Sequence, residues 1–232
     1  MEERSSAIVT GASSGIGRAI ALMLHELGFN VLGIGRHFAD ENPFQKIEAD
    51  ITDAKWQKSF ADMVLEYHPE ILVNCAGVGY YGLHEDISPV DIAAMCRTDL
   101  EAPMILTAAA LKDMKRMKRG TIINISSVVA TKASTYAAAY AATKAGLSSF
   151  TQSIFEESRK YGIRIVDISP DMTKSNFYRN ADFTEDDDEE AYLLPEDVAQ
   201  AVKDVLSMRD GITVTKMTIR PRYHRVKRRE KQ

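Results

Sequence analysis

The chain has 232 residues, 45% of them hydrophobic and 27% charged; such values exclude a disordered chain, a collagen-like fibre and a membrane bundle. At about 150 residues per domain this length holds one large α/β domain and little more. Twenty-nine Lys and Arg against 33 Asp and Glu leave a net charge of −4, too little basic field to draw the protein to nucleic acid or anionic lipid, and no apolar run approaches the ~18 residues of a membrane span.

Residues 7–10 read as a short apolar strand, followed by glycines and a helix over residues 15–27. On that helix Ile16, Ala19, Ile20, Met23, Leu24 and Leu27 share one face. Residues 30–34 form a second strand and residues 47–51 a third. Asp53 caps a helix that runs to Tyr67. A strand at 71–74 precedes one long helical stretch over 91–118, then a strand at 121–126, a helix at 137–160 and a strand at 164–168. Pro195 suits the first turn of a helix ending at Leu206, and residues 216–219 are the last strand. The alternation predicts a parallel sheet of about seven strands with helices on both faces. With right-handed crossovers this is a doubly wound, three-layer α/β/α fold of the Rossmann type.

Two stretches break the pattern. Residues 182–190 hold seven acids in nine and read as a solvated loop over the site; from Lys216 onward eight Lys and Arg face one acid, which reads as a frayed, solvated terminus. The predicted organisation is one domain over 1–220, with a substrate-side loop at 175–194, and a basic tail at 221–232. The first residues lead almost directly into a strand, so a cytoplasmic protein without a secretory leader is expected. Cys75 and Cys96 have neither metal spacing nor partners for a disulfide framework. His25, His37, His68, His84 and His224 are scattered, so no metal site is predicted.

Between the first strand and helix stands Thr10-Gly11-Ala12-Ser13-Ser14-Gly15-Ile16-Gly17. Glycines there permit a tight turn and close approach of backbone to a pyrophosphate, and the helix N-terminus adds free N–H groups and partial positive charge. The pattern resembles the Thr-Gly-x-x-x-Gly-x-Gly motif of the short-chain dehydrogenase/reductase family, in its classical branch. Further matches follow in order along nearly the whole chain. Asn74-Cys75-Ala76-Gly77 is similar to the family's Asn-Asn-Ala-Gly, and Ser127, Tyr140 and Lys144 match its Ser, Tyr-x-x-x-Lys set. Ser169-Pro170 stands where the family has Pro-Gly, and residues 194–199 resemble its closing helix.

The resemblance implies an oxidoreductase that moves hydride between a nicotinamide cofactor and a small carbonyl or alcohol. Reductases of 3-hydroxy acids or 3-oxoacyl groups are the most similar members. It implies catalytic roles for Ser127, Tyr140 and Lys144, with Asp99 where the family has a fourth residue, Asn. It implies cofactor contacts from Gly11, Ser13, Ser14, Gly15, Ile16, Gly17, Arg36, Asp50, Ile51, Asn74, Ala76, Gly77, Tyr140, Lys144, Pro170 and Thr173.

Chemistry supports the set. Tyr140 and Lys144 lie one helical turn apart and share a face. A free tyrosine, with pKa ~10, is a weak base at neutral pH, and a nearby ammonium is expected to lower that value. Asp99 and Asp171 depart from the family's Asn and Gly; they support a competing reading, a dinucleotide-binding regulator with impaired turnover. At the end of the second strand Gly35 withholds the carboxylate that selects NAD(H), and Arg36 offers a guanidinium to a 2′-phosphate. NADP(H) is therefore expected over NAD(H). Family members pair through their two long helices, so a homodimer or homotetramer is expected.

Overall fold

The computed structural model describes residues 5–39 and 41–229; the expectations for the first four residues and for the last three of the basic tail lie outside the described residues. Among the described residues nine strands occur in the order β1 Ser6–Thr10, β2 Asn30–Gly35, β3 Gln45–Glu48, β4 Ile71–Asn74, β5 Gly120–Ile125, β6 Ile163–Pro170, β7 Phe183–Glu185, β8 Lys216–Ile219 and β9 Val226–Arg228. Seven of them build one sheet, ordered β3-β2-β1-β4-β5-β6-β8, with every pair parallel. The helices are α1 Gly15–Glu26, α2 Ala54–Tyr67, α3 Pro89–Cys96, α4 Ala102–Met117, α5 Ala138–Ser158 and α6 Pro195–Leu206. This is the doubly wound three-layer fold that the alternation predicts.

The central strands are continuous apolar runs because both their faces are covered. Ala7, Val9, Val73, Ile123 and Val166 point to one side, where Ile20 and Leu24 of α1 and Val198 and Val202 of α6 close the layer. Ile8, Leu72, Ile122 and Ile165 point to the other, against Phe60 and Val64 of α2 and Leu106 and Ala110 of α4.

Three local readings need correction. The third strand is Gln45–Glu48, starting two residues earlier and ending three residues earlier than the expected 47–51. Phe44 explains the shift, because its ring occupies the space a β-carbon at Gly33 would fill, 2.4 Å away. That contact pins the β2–β3 crossover without an intervening helix among the described residues.

The stretch over 91–118 is helical as expected, but not as one regular α-helix. A π-helical turn, Arg97–Glu101, separates α3 from α4. Pro103 supplies the reason: it has no N–H to return to the carbonyl of Asp99 four residues back, and a one-residue widening of the helix is the usual relief.

The acidic loop and the basic tail are not separate solvated segments but partners. β7 and β9 pair antiparallel with Phe183 opposite Arg228 and Glu185 opposite Val226. Arg222 meets Glu190 at 2.9 Å, Arg225 meets Asp188 at 3.4 Å and Lys227 meets Asp187 at 2.7 Å. Exposed ion pairs contribute little one at a time, so the backbone sets the register. The N–H groups of Tyr223 and Arg229 donate to the carbonyls of Glu190 and Asp182 at 3.0 and 2.7 Å.

Candidate active site

The glycine turn is built by steric necessity. A β-carbon at Gly17 would lie 2.3 Å from the carbonyl oxygen of Gly11, and one at Gly11 would lie 2.8 Å from Cα of Ala76. Gly11 also has φ +71°, where a side chain is strained. Helix α1 therefore starts against the ends of β1 and β4. Its N-cap Ser14 makes no side-chain cap bond and its first turn holds no acid, so its free N–H groups remain open to an anion. The Thr10 hydroxyl accepts the N–H groups of Cys75 and Ala76 at 3.0 and 3.1 Å and locks the β4 loop to this turn.

A cleft of about 690 Å³ opens at the carboxyl ends of the strands. It brings together Gly11, Ser13, Ser14, Gly15, Ile16, Gly17, Arg36, Asp50, Ile51, Ala76, Gly77, Ser127, Tyr140, Lys144, Pro170 and Thr173. Two expected residues stand behind it. Asn74 is buried, its amide donating to Thr107 Oγ1 at 3.1 Å and to Asn124 Oδ1 at 2.8 Å; it braces the strands instead of facing a ligand. Asp99 is fully buried in the π-helical turn. The Asp50 carboxylate is engaged locally by the N–H and hydroxyl of Thr52 at 2.8 and 2.7 Å.

Ser127 caps the short turn after β5, its hydroxyl accepting the N–H of Val129 at 3.4 Å. Tyr140 is buried on α5. Lys144, one turn on, donates from Nζ to the carbonyl of Ile125 at 3.1 Å and sits 5.7 Å from the Tyr140 ring centroid. The expected lowering of the Tyr140 pKa by Lys144 is not what this arrangement produces. Burial pushes the phenol well above its ordinary value; the Asp99 charge adds to the rise and the Ser127 hydroxyl opposes it. Tyr140 is thus held as a neutral phenol.

Asp99 accepts the N–H of Val78 on Oδ1 at 2.8 Å, while Oδ2 is buried without a hydrogen-bond partner. A β-carbon on Gly77 would lie 3.2 Å from that Oδ1 and 3.6 Å from Lys144 Nζ, so the carboxylate and the ammonium border the same bare position. Burial raises the Asp99 pKa from 3.8 to about 6, against the pull of the Lys144 charge.

Asp171 has a different task. Arg220 donates to its Oδ2 at 2.9 Å and His224 stands 3.7 Å from its Oδ1, so the departure from glycine is a docking post for the C-terminal segment.

An aromatic wall escaped the sequence reading. Tyr80, Phe177 and Tyr178 line the cleft, with Tyr81 and Phe183 packed behind them. The available signal was two adjacent aromatic pairs, 80–81 and 177–178, in otherwise polar loops.

A family model described as short chain dehydrogenase matches residues 5–186. An uncharacterised oxidoreductase of Staphylococcus epidermidis is 30% identical over 225 residues, covering 93% of this chain and 96% of the relative. An alcohol dehydrogenase from the archaeon Thermococcus sibiricus, complexed with 5-hydroxy-NADP, superposes with a TM-score of 0.85 at 24% identity, covering 96% of this chain and 99% of that one. A 4-hydroxyisoleucine dehydrogenase complexed with NADH superposes with a TM-score of 0.82 at 24% identity, over 94% and 97% of the two chains.

Because the folded-state pKa of Asp99 is raised, the fold loses stability as pH climbs from about 4 to about 6, and the penalty is complete above that window. A rise from 3.8 to about 6 corresponds to at most ~3 kcal/mol. Asp99→Asn should therefore gain stability relative to wild type on going from pH 4 to pH 7.5 in urea unfolding. A difference that stays constant across that range refutes the assignment.

Proposed function

The chain belongs to the short-chain dehydrogenase family, and from that premise we propose that it is an NADP(H)-dependent reductase, reversibly a dehydrogenase, of a small carbonyl or alcohol. The size class is that of 3-oxoacyl compounds and 3-hydroxy acids. The observation that carries the reading is convergence: Ser127, Tyr140 and Lys144 line the same cleft as the glycine turn and the open start of α1. The bare positions at Gly11 and Gly17 and the uncapped helix start fit a dinucleotide diphosphate. When bound, the nicotinamide supplies a hydride.

The residues of this chain do the rest. The hydroxyls of Ser127 and Tyr140 hold the substrate oxygen, and Tyr140 passes its proton to that oxygen as negative charge develops on it. Lys144 places an ammonium beside the phenolate that this leaves. Replacing the phenolic oxygen should stop proton delivery and leave the dinucleotide site intact. Tyr140→Phe is expected to lower kcat by at least ~10²-fold with NADPH affinity retained. Wild-type-like turnover in that variant removes Tyr140 as donor. NADPH binding by the wild type with no turnover on a broad carbonyl panel favours the regulator instead.

Preference for NADP(H) rests on the end of β2. A β-carbon at Gly35 would meet Ser13 Cβ at 2.9 Å, so the position resists the carboxylate that selects NAD(H). Arg36 lines the cleft next to it. Wild type should have the higher kcat/KM with NADPH, and Arg36→Ala should erode the ratio by at least ~10-fold through loss of a charge-assisted phosphate contact. A wild-type preference for NADH rejects the assignment. Arg36 is the cleaner probe, since Gly35→Asp would disturb the turn itself.

Assembly through the long helices α4 and α5 into a dimer or tetramer, in the cytoplasm, completes the reading. Light scattering at micromolar protein should give twice or four times the monomer mass of 25.8 kDa. A fully active monomer refutes it. No helix of the described residues is long and apolar enough to cross a membrane.

A further inference from the structure

A third apolar cluster, apart from the two that flank the sheet, covers the reacting end of the cleft. Val78, Met95 and Tyr140 are its buried members, with Tyr81, Val129 and Phe177 packed on them. The ring centroids of Tyr81 and Phe177 lie 5.7 and 5.6 Å from that of Tyr140. Tyr178 and Phe183 continue the stack at 6.0 and 5.1 Å from Tyr81. The rings packed in this way present Tyr140, Phe177 and Tyr178 to the cleft, an aromatic surface suited to flat apolar groups, edge-on or offset.

The charged groups that border this end are engaged by the protein itself: Asp171, which also lines the cleft, is paired with Arg220 at 2.9 Å. Lys144 donates to the Ile125 carbonyl, and Asp99 borders Gly77. The acids at the mouth are tied to the C-terminal strand. Arg97 and Arg179 also line the cleft, but both are exposed, and the Arg179 guanidinium donates to the Asn176 carbonyl at 3.3 Å. A carboxylate one or two bonds from the reacting carbon would therefore be buried among rings, where an unpaired charge is strongly disfavoured.

Phe177 is the ring best placed to choose. It sits on the short turn Asn176–Asn180, outside the main sheet. The positions that β-carbons at Gly77 and Gly79 would take lie 3.5 and 2.9 Å from its ring, so two bare positions make room for it in front of Tyr140.

We infer that the substrate is an uncharged carbonyl compound, or its alcohol, with an aromatic or similarly flat apolar group beside the reacting carbon, and that Phe177 sets this selectivity. The inference rests on the reductase reading above. It separates 3-oxoacyl esters from free 3-oxo acids within the size class already proposed, and places aryl ketones ahead of both.

The test is NADPH oxidation with carbonyls similar in shape and differing in charge: methyl 2-oxo-2-phenylacetate against 2-oxo-2-phenylacetate, and ethyl 3-oxobutanoate against 3-oxobutanoate. The neutral member of each pair should have the higher kcat/KM by at least ~10-fold, and 1-phenylethanone should exceed octan-2-one. Phe177→Arg should shrink or invert the neutral-to-anion ratio while the NADPH dissociation constant stays within about threefold, which shows that the cofactor site is still folded. Equal or better use of the carboxylates by wild type overturns the substrate class. So does octan-2-one matching 1-phenylethanone. An unchanged ratio in Phe177→Arg with NADPH still bound overturns the role of Phe177. Absence of turnover with every carbonyl, although NADPH binds, removes the reductase reading and this inference with it.

Discussion

The contact on which the site depends is the one between two bare backbone positions, Gly17 over the carbonyl of Gly11. A side chain at Gly17 would push α1 away from the end of β1, and one at Gly11 would push the β4 loop away. With both absent, the helix begins in the crevice between β1 and β4, where the strand order reverses direction, the place at which open parallel sheets bind ligands. Thr10 then fastens Cys75 and Ala76 to the turn. Two residues on, the N–H of Val78 reaches Asp99. A single steric allowance thus propagates from the first strand to the far wall of the cleft.

A second constraint places the reacting groups. Asn74, Asn124 and Thr151 form a buried relay of side-chain hydrogen bonds from β4 through β5 to α5. Behind it Asp167, fully buried, accepts the hydroxyls of Ser126, Ser148 and Ser169 and lies 3.4 Å from Lys216. Satisfied in this way a buried carboxylate rigidifies its surroundings, whereas losing one partner would expose an uncompensated charge. Ser126 precedes Ser127, and Ser148 lies one turn beyond Lys144 on α5. The network therefore fixes both arms of the proposed catalytic set from beneath, and Lys216 of β8 links it to the edge of the sheet.

What was legible in the sequence was local. The glycine turn and the Tyr140–Lys144 spacing are short-range patterns, and a helix converts a four-residue interval directly into geometry. The seven-strand parallel sheet followed from alternation alone. The break at residues 97–101 was missed because apolar periodicity continues through it; the usable signal was Pro103, four residues after Asp99. The direction of the Asn74 side chain was invisible, since a strand end offers both the cleft and the interior. The ribbon of β7 and β9 joins segments about forty residues apart, each of which taken alone reads as solvated charge. The aromatic wall draws on residues near 80, 140, 177 and 183, and no window of sequence contains them together.

The two departures from the family pattern have different physical meanings. Asp171 faces Arg220 and so exchanges a flexible glycine for a fastening to the C-terminal segment. That segment also pairs with β7, whose Phe183 packs against Tyr81 and Tyr178. The basic tail and the substrate wall are therefore one mechanical unit. Asp99 acts through charge. Together with burial it disfavours a standing phenolate on Tyr140, which suits the proposed role of Tyr140 as proton donor in the reductive direction. In that proposal the phenolate forms as the proton is handed over, with the Lys144 ammonium close by to stabilise it. The Asp99 carboxylate and the Lys144 ammonium both border the bare position at Gly77, and the uncharged rings of Tyr81 and Phe177 pack on Tyr140 beside them.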